Sequence, residues 1–264
     1  KVTGVRLENG EEILADRVVS NVDAKKTFLG LMEPEDAGEK VVKAAKRYKS
    51  RGSSGKLNIA LNGVPEFTAL PKGSELIKGD FHIVDNMESY ERGYDEWKDG
   101  MWSTNPYLDI LIPTLTDPTM APPGKHFMTC FVQYCPAKVK GQDWNADLLK
   151  KFGDNVINSI AKYSPNFKDL IEHVEIRSGQ VIDNEIGLTE GNIFQGELSL
   201  NQLMFNRPFH GCAQYRGPVN GLYLSGSTTH PGGGVMGAPG ANSAREILMD
   251  MKISTTVPED EGDD

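Results

Sequence analysis

The part of this sequence best suited to chemistry is a glycine-rich run near its carboxyl end. There the chain reads as a short apolar strand (222–224), a loop with three successive glycines, and a helix that begins near Val235 or Ala241. Glycines let a backbone turn sharply and let another group approach its N–H donors closely. A helix start adds N–H donors and about half a positive charge. The pattern therefore favours a bound phosphate, or the edge of a flavin that becomes anionic on reduction.

Two alternatives stay open at this point. The three glycines also fit a tight turn between a strand and a helix that packs on its own strand and binds nothing. The run is not a phosphate-binding P-loop, because no Gly-Lys-Ser or Gly-Lys-Thr follows it. A module that binds NAD(P) is a weaker possibility.

The first residues predict a hairpin that leads into a buried strand. Asn9-Gly10 is a strong hairpin signal, and it separates two strand-forming segments, 2–7 and 13–15. Residues 17–21 are apolar and β-branched, as in a buried strand. Since a natural chain rarely begins inside a hairpin, we expect Lys1 to be an internal position of a longer polypeptide.

The middle of the chain mixes helical and strand patterns, so we predict the α+β (mixed α/β) class. Helices are predicted over 24–31, 37–48, 85–97 and 145–163, and strands over 56–62, 107–113, 126–134 and 173–177. Asn145 is the predicted N-cap of the longest helix.

Charge and composition exclude several classes of protein. The chain has 28 Lys+Arg and 37 Asp+Glu, a net charge of −9, which argues against a nucleic-acid-binding protein with its basic stripe. No apolar run approaches the ~20 residues that span a bilayer, and the first residues do not resemble a signal peptide. Residues 252–264 form an acidic tail that we expect to be disordered.

The cysteines suggest neither a metal site nor a disulfide framework. Cys130, Cys135 and Cys212 are odd in number and form no CxxC pair. Cys130 and Cys135 lie five apart on one predicted strand and would point to opposite faces, so we interpret them as core thiols. No metal is predicted, and a reducing compartment is favoured.

The glycine-rich run resembles the C-terminal FAD-contacting motif of the phytoene desaturase, carotenoid isomerase and retinol saturase group of flavoproteins. The residues that carry this resemblance are Leu222-Tyr223-Leu224-Ser225-Gly226-Ser227-Thr228-Thr229-His230-Pro231-Gly232-Gly233-Gly234-Val235-Met236-Gly237-Ala238. Weaker similarities occur in the opening segment 4–23, at 191–194, and at Gln202 and Arg207-Pro208.

This resemblance implies a fold with two parts. Residues 24–217 would be a substrate-binding domain with a mixed β-sheet and helices. Residues 1–23 and 218–251 would belong to a Rossmann-like FAD-binding domain, the latter as its returning strand, glycine-rich loop and helix. The N-terminal part of that domain, which holds adenine and pyrophosphate, is missing from this sequence and would be its partner. The family includes cytoplasmic and mitochondrial proteins, and we expect the former location with the latter as the alternative.

The resemblance also implies the site residues. FAD would contact Gly226, Ser227, His230, Pro231, Gly232, Gly233, Gly234, Val235, Met236, Gly237 and Ala238. His230 is a weak catalytic candidate, because histidine commonly exchanges protons near neutral pH, although a His-Pro step also fits a role in shaping the loop. Asn192, Gln195, Gln202 and Arg207 are weaker candidates for substrate contacts. Loop-capping amides and a surface salt bridge of Arg207 are the alternatives.

The implied reaction is hydride transfer between flavin and a carbon–carbon bond of an apolar small molecule. A redox-neutral isomerase, or a non-catalytic regulatory or interaction protein, would have the same sequence features. Contact with a membrane surface or with a second copy of the chain is left open.

Overall fold

The computed structural model describes residues 1–254 and shows helices mixed with strands. The strands are β1 (Gly4–Arg6), β2 (Glu12–Leu14), β3 (Val18–Ser20), β4 (Ser54–Leu61), β5 (Phe81–Ile83), β6 (Tyr107–Leu111), β7 (His126–Gln133), β8 (Ile171–Arg177) and β9 (Leu222–Leu224). The helices are α1 (Ala24–Leu29), α2 (Pro34–Ala37), α3 (Glu39–Arg47), α4 (Met87–Lys98), α5 (Ala146–Ala161), α6 (Phe167–Leu170), α7 (Gly179–Ile186) and α8 (Ala238–Asp250). The predicted α+β class is confirmed, and most of the predicted acidic tail (255–264) lies outside the described residues.

Residues 51–192 form one compact unit, which we call the sheet unit. Its antiparallel sheet has the strand order β5-β6-β7-β4-β8. Alternate residues of β4 and β7 are fully buried, for example Leu57 and Cys130, and they pack in one core with Phe152 of α5. The helix begins where the sequence predicts, because the Asn145 side chain accepts a hydrogen bond from the Leu148 N–H.

Residues 1–50 and 193–254 form a second compact unit, which we call the turn unit. The predicted hairpin is confirmed, with β1 antiparallel to β2. Strand β3 pairs in parallel with β9, so that Ser20 lies opposite Leu224 although the two are far apart in sequence. A small core around Phe28 supports this pair. The division between the units falls at residues 50 and 193, inside the predicted domain 24–217.

The cysteines are core thiols, but for a reason that differs from the prediction. Strand β7 ends at Gln133, so Cys135 lies beyond it and the alternation of strand side chains does not apply. Cys130, Cys135 and Cys212 are all buried and unpaired. Burial raises the pKa of all three thiols. They are therefore poor nucleophiles.

None of the described helices combines the length and the apolar character needed to cross a bilayer.

Candidate functional site

The glycine-rich turn, residues 225–237, connects β9 to α8 in the turn unit. Strand β9 is buried along its length, and α8 begins at Ala238. Gly237 precedes the helix with φ +68°, and within the described chain no side chain caps this helix start. Its first N–H groups therefore lack the side-chain acceptor that usually satisfies one of them.

The turn borders a cavity of about 260 Å³. Its lining consists of Asn21, Ser225, Gly226, Ser227, Gly232, Gly233, Val235, Met236, Gly237, Pro239 and Gly240. Most of the residues predicted to bind a cofactor are thus brought together around one space. His230, Pro231, Gly234 and Ala238 are not part of the lining, and sequence reasoning missed Asn21, Ser225, Pro239 and Gly240.

The glycines of the lining serve different purposes. At Gly226, which has φ +77°, a Cβ would lie 2.2 Å from Asn21 Oδ1. At Gly233 a Cβ would lie 2.7 Å from Cδ1 of Phe194. The packing of the protein itself thus requires these two glycines, as the tight-turn alternative expects. At Gly240 a Cβ would meet only Ser225 Oγ, at 3.9 Å. This part of α8 therefore presents bare backbone to the cavity.

The predicted substrate-binding amides are bonded to main-chain groups. The Gln195 amide donates to the Asn21 carbonyl (3.1 Å) and accepts from the Thr228 N–H (3.1 Å). Buried Gln202 accepts from the Lys49 N–H (2.7 Å) and donates to the carbonyl of the same residue (3.0 Å). These contacts favour the loop-capping alternative.

Asn192 has a similar contact within the sheet unit. It is buried, and its Nδ2 donates to the Arg51 carbonyl at 3.0 Å. A substrate role for these amides stays a prediction.

Arg207 is fully buried, so it does not form the surface salt bridge that was one alternative. Its guanidinium donates to main-chain carbonyl groups of the turn and of residues 194–202, including Ser227 (2.6 Å from Nη2) and Phe194 (2.7 Å). Burial lowers the pKa of this guanidinium, yet arginine stays protonated in proteins. The side chain ties two loop segments together.

His230 is fixed through its main chain. The Tyr215 hydroxyl donates to the His230 carbonyl at 2.9 Å and accepts from Nδ2 of Asn242 in α8, also at 2.9 Å. This relay joins the glycine-rich turn to the helix that follows it. Such a contact suits the loop-shaping role of the His-Pro step, and catalysis by the imidazole stays a prediction.

Gly232, Gly234 and Gly237 have the GxGxxG spacing of dinucleotide-binding turns. In that motif the glycines directly follow a strand. Here β9 ends at Leu224, and residues 225–231 precede the first of the three. The geometry therefore differs from a dinucleotide fingerprint, and the sequence match alone does not indicate NAD(P).

A separate cluster of polar side chains lies at the edge of the sheet unit. Potential ligand atoms of Asp80, His82 and Asp109 lie within 4.8 Å of one another. Burial is the largest cause that raises the pKa of the Asp109 carboxyl, and the hydrogen bond between Asp109 and Asp80 is the next largest. The cluster is at the surface, where such groups are common without an ion.

Comparison with known proteins finds homologues along almost the whole chain. The chain is 35% identical over 260 residues to pyridine nucleotide-disulfide oxidoreductase domain-containing protein 2 of Mus musculus, with 96% of this chain and 45% of that protein covered. It is 28% identical to phytoene desaturase of Phycomyces blakesleeanus, with 89% of this chain and 38% of that protein covered. Homologues of this chain thus include pyridine nucleotide-disulfide oxidoreductase domain-containing protein 2 and phytoene desaturase. The chain spans less than half the length of these relatives.

Solved structures show the fold of this chain. A triple mutant of putrescine oxidase superposes with a TM-score of 0.52 at 11% identity, covering 94% of this chain and 45% of that one. Cyclohexylamine oxidase from Brevibacterium oxydans superposes with a TM-score of 0.50 at 11% identity, covering 92% and 44%. The fold thus corresponds to part of the fold of these two oxidases. No protein-family model matches this chain.

Proposed function

We propose that this chain is the C-terminal portion of an FAD-dependent oxidoreductase, in which the glycine-rich turn holds the flavin. The cavity beside the start of α8 carries this proposal, because it combines bare backbone at Gly240 with a helix start that no described side chain caps. Such a helix start favours an anionic group. The names of the relatives, phytoene desaturase and amine oxidases, support a redox role.

The residues around the cavity are suited to binding and orientation rather than to proton transfer. Among the described residues of the lining, none is Asp, Glu, His, Lys or Arg. The main chain of the turn and the N–H groups at the start of α8 would hold the flavin. When bound, FAD would supply the hydride acceptor or donor. The N-terminal FAD-binding portion of the same protein would complete the cofactor site.

We propose hydride transfer to or from a carbon–carbon bond of an apolar small molecule. A relative named phytoene desaturase and another named as part of a limonene dehydrogenase support this class of reaction. A redox-neutral isomerisation is the second candidate, because the chain is 26% identical to prolycopene isomerase 1 of an Oncidium hybrid cultivar.

Replacing Gly240 with leucine tests the cofactor site. In the full-length protein, we expect Gly240→Leu to reduce flavin occupancy at least tenfold, because the new side chain would occupy the cavity. Occupancy is measured from the flavin band at about 450 nm relative to protein absorbance, after incubation with FAD. The substitution should not unfold α8, since the Cβ meets only Ser225 Oγ at 3.9 Å. Leucine is also the better helix former, by up to about 1 kcal/mol.

Ala244→Leu is the matched control, because Ala244 is an exposed residue one helical turn further along α8. It should retain the flavin of the wild type. Failure of the wild-type protein to bind FAD would refute the proposed function. Equal occupancy in Gly240→Leu and Ala244→Leu would show that flavin does not bind in this cavity.

A further inference from the structure

Arg207 lies directly behind the wall of the cavity. It is the largest of the fully buried side chains in the described chain. A Cβ built on Gly232, which lines the cavity, would lie 3.5 Å from Arg207 Nε and 3.9 Å from its Cζ. The guanidinium is therefore separated from the cavity by little more than the backbone of one glycine.

The hydrogen bonds of Arg207 fix the orientation of one peptide group of the turn. The Ser227 carbonyl accepts from both Nε (2.9 Å) and Nη2 (2.6 Å). On the other side of the same peptide group, the Thr228 N–H donates to Gln195 Oε1 at 3.1 Å. We call these three hydrogen bonds to the Ser227–Thr228 peptide group the clamp. Because Ser227 lines the cavity, the shape of the cavity depends on the clamp.

The remaining N–H donors of the guanidinium bind carbonyl groups of the loop formed by residues 194–202. They reach the carbonyl oxygens of Phe194 (2.7 Å) and Gln202 (3.2 Å), with longer contacts to those of Gly196 and Glu197. All of these acceptors are neutral, so the hydrogen bonds do not cancel the positive charge. A charge in such a buried setting acts over a longer distance than it would in water.

We propose that Arg207 is a positioning residue of the cofactor site, with two separable effects. Its planar fork holds the Ser227 peptide group, and its charge favours an anionic over a neutral ligand in the adjoining cavity. The second effect rests on the proposed function, because flavin changes from neutral to anionic on reduction. Arg207 thus favours the reduced flavin through the wall of the site without touching it.

Two substitutions in the full-length protein separate these effects. Arg207→Lys keeps a positive charge but loses the fork, whereas Arg207→Met loses both. Amide hydrogen exchange at Thr228 and Gly232, measured without FAD, reports on the clamp. The midpoint potential of the bound flavin reports on the charge, because it depends on the ratio of affinities for the oxidised and reduced forms.

We expect both variants to exchange the Thr228 amide at least tenfold faster than wild type. Only Arg207→Met should lower the preference for reduced flavin, by about tenfold, which is about 30 mV for a two-electron couple. Arg6→Met removes an exposed arginine of β1 and should leave both measurements unchanged.

Unchanged exchange in Arg207→Lys would overturn the clamp. Equal potentials in the wild type and Arg207→Met would overturn the effect of charge. Should Arg207→Met fail to fold, Arg207→Lys decides alone, since the proposal requires faster exchange together with a potential close to that of the wild type. A wild-type protein that binds no FAD would refute the proposed function and the charge effect, whereas the exchange measurement would still test the clamp.

Discussion

The sheet unit and the turn unit are each stabilised internally by a different kind of interaction. In the sheet unit, three neighbouring strands direct apolar residues such as Leu57 and Ile110 to one face, where they pack with Phe152 of α5. The turn unit has a smaller apolar core. Several of its loops are instead fixed by side chains that bind the main chain, with Arg207 and Gln202 as the buried examples.

Hydrogen bonds of this kind fix the loops that border the cavity beside the glycine-rich turn. Apolar packing stabilises a structure by filling space, and protein interiors are close to crystal density. Hydrogen bonds from side chains to carbonyl groups fix a loop at a few points without filling the space in front of it. The turn unit can therefore keep both a defined backbone and room for a ligand.

The largest expected effect is in the core of the sheet unit. Phe152 is fully buried, and its ring contacts those of Trp102 and Trp144. We expect Phe152→Ala to lower the free energy of unfolding by about 3–5 kcal/mol, measured by urea denaturation, because it leaves a cavity in the apolar core. Lys151→Ala, at the exposed neighbouring position, should change it by less than about 0.5 kcal/mol. A loss below about 1 kcal/mol in Phe152→Ala would contradict the role given to apolar packing.

A smaller effect is expected from Gln202 in the turn unit. We expect Gln202→Met to lower the free energy of unfolding by about 1–3 kcal/mol, because the Lys49 N–H and carbonyl lose their buried partner. Exchange of the Lys49 amide should accelerate at the same time. Asn201→Met, at the exposed neighbouring position, serves as the control. If both variants behaved like wild type, the amide contacts would not be what fixes this loop.

The smallest effect concerns the ion pair that joins α8 to the residues before β9. Arg216 donates to both oxygens of Asp250, and the Tyr223 hydroxyl donates to one of them. The hydrogen bond from Arg216 is the largest cause that lowers the pKa of Asp250 from 3.8 to about 2, and the hydrogen bond from Tyr223 is the next largest. A carboxyl whose pKa is lowered on folding stabilises the protein above its unfolded pKa, and this contribution is lost as the pH falls through the folded value.

Asp250→Asn checks this pH dependence. The stability difference between wild type and variant should be constant from about pH 7 to pH 5 and should shrink from about pH 4 to pH 2. Chemical denaturation at several pH values measures it, and Asp36→Asn, at an exposed position of α2, is the control. A difference independent of pH would show that the ion pair adds nothing to the stability of the turn unit.

Local sequence patterns predicted most of the fold. The Asn9-Gly10 hairpin and the helix after Asn145 were found because turn and cap signals act within a few residues. Strand β5 and helix α7 were missed. Strand β5 has three residues and, among the residues that the structure describes, pairs with β6 alone. Helix α7 begins with Gly179, a poor helix former.

The site was predictable only in part. The glycine-rich turn is continuous in sequence, so its residues could be identified together. Asn21 enters the cavity lining because β3 pairs with β9, a contact between distant segments that one sequence does not reveal. The loop-capping role of Gln195 was predicted only as an alternative, and the role of Arg207 was not predicted, because their partners are main-chain groups, which any residue could supply.

The pairing of β3 with β9 has a consequence for synthesis on the ribosome. Strand β3 is made before residues 51–192, whereas its partner β9 is made only after them. Domains generally fold as units while the chain is being made. The sheet unit can therefore form while β3 is still unpaired, before β9 has been synthesised. The pocket beside the glycine-rich turn is therefore among the last parts of the described chain to take shape.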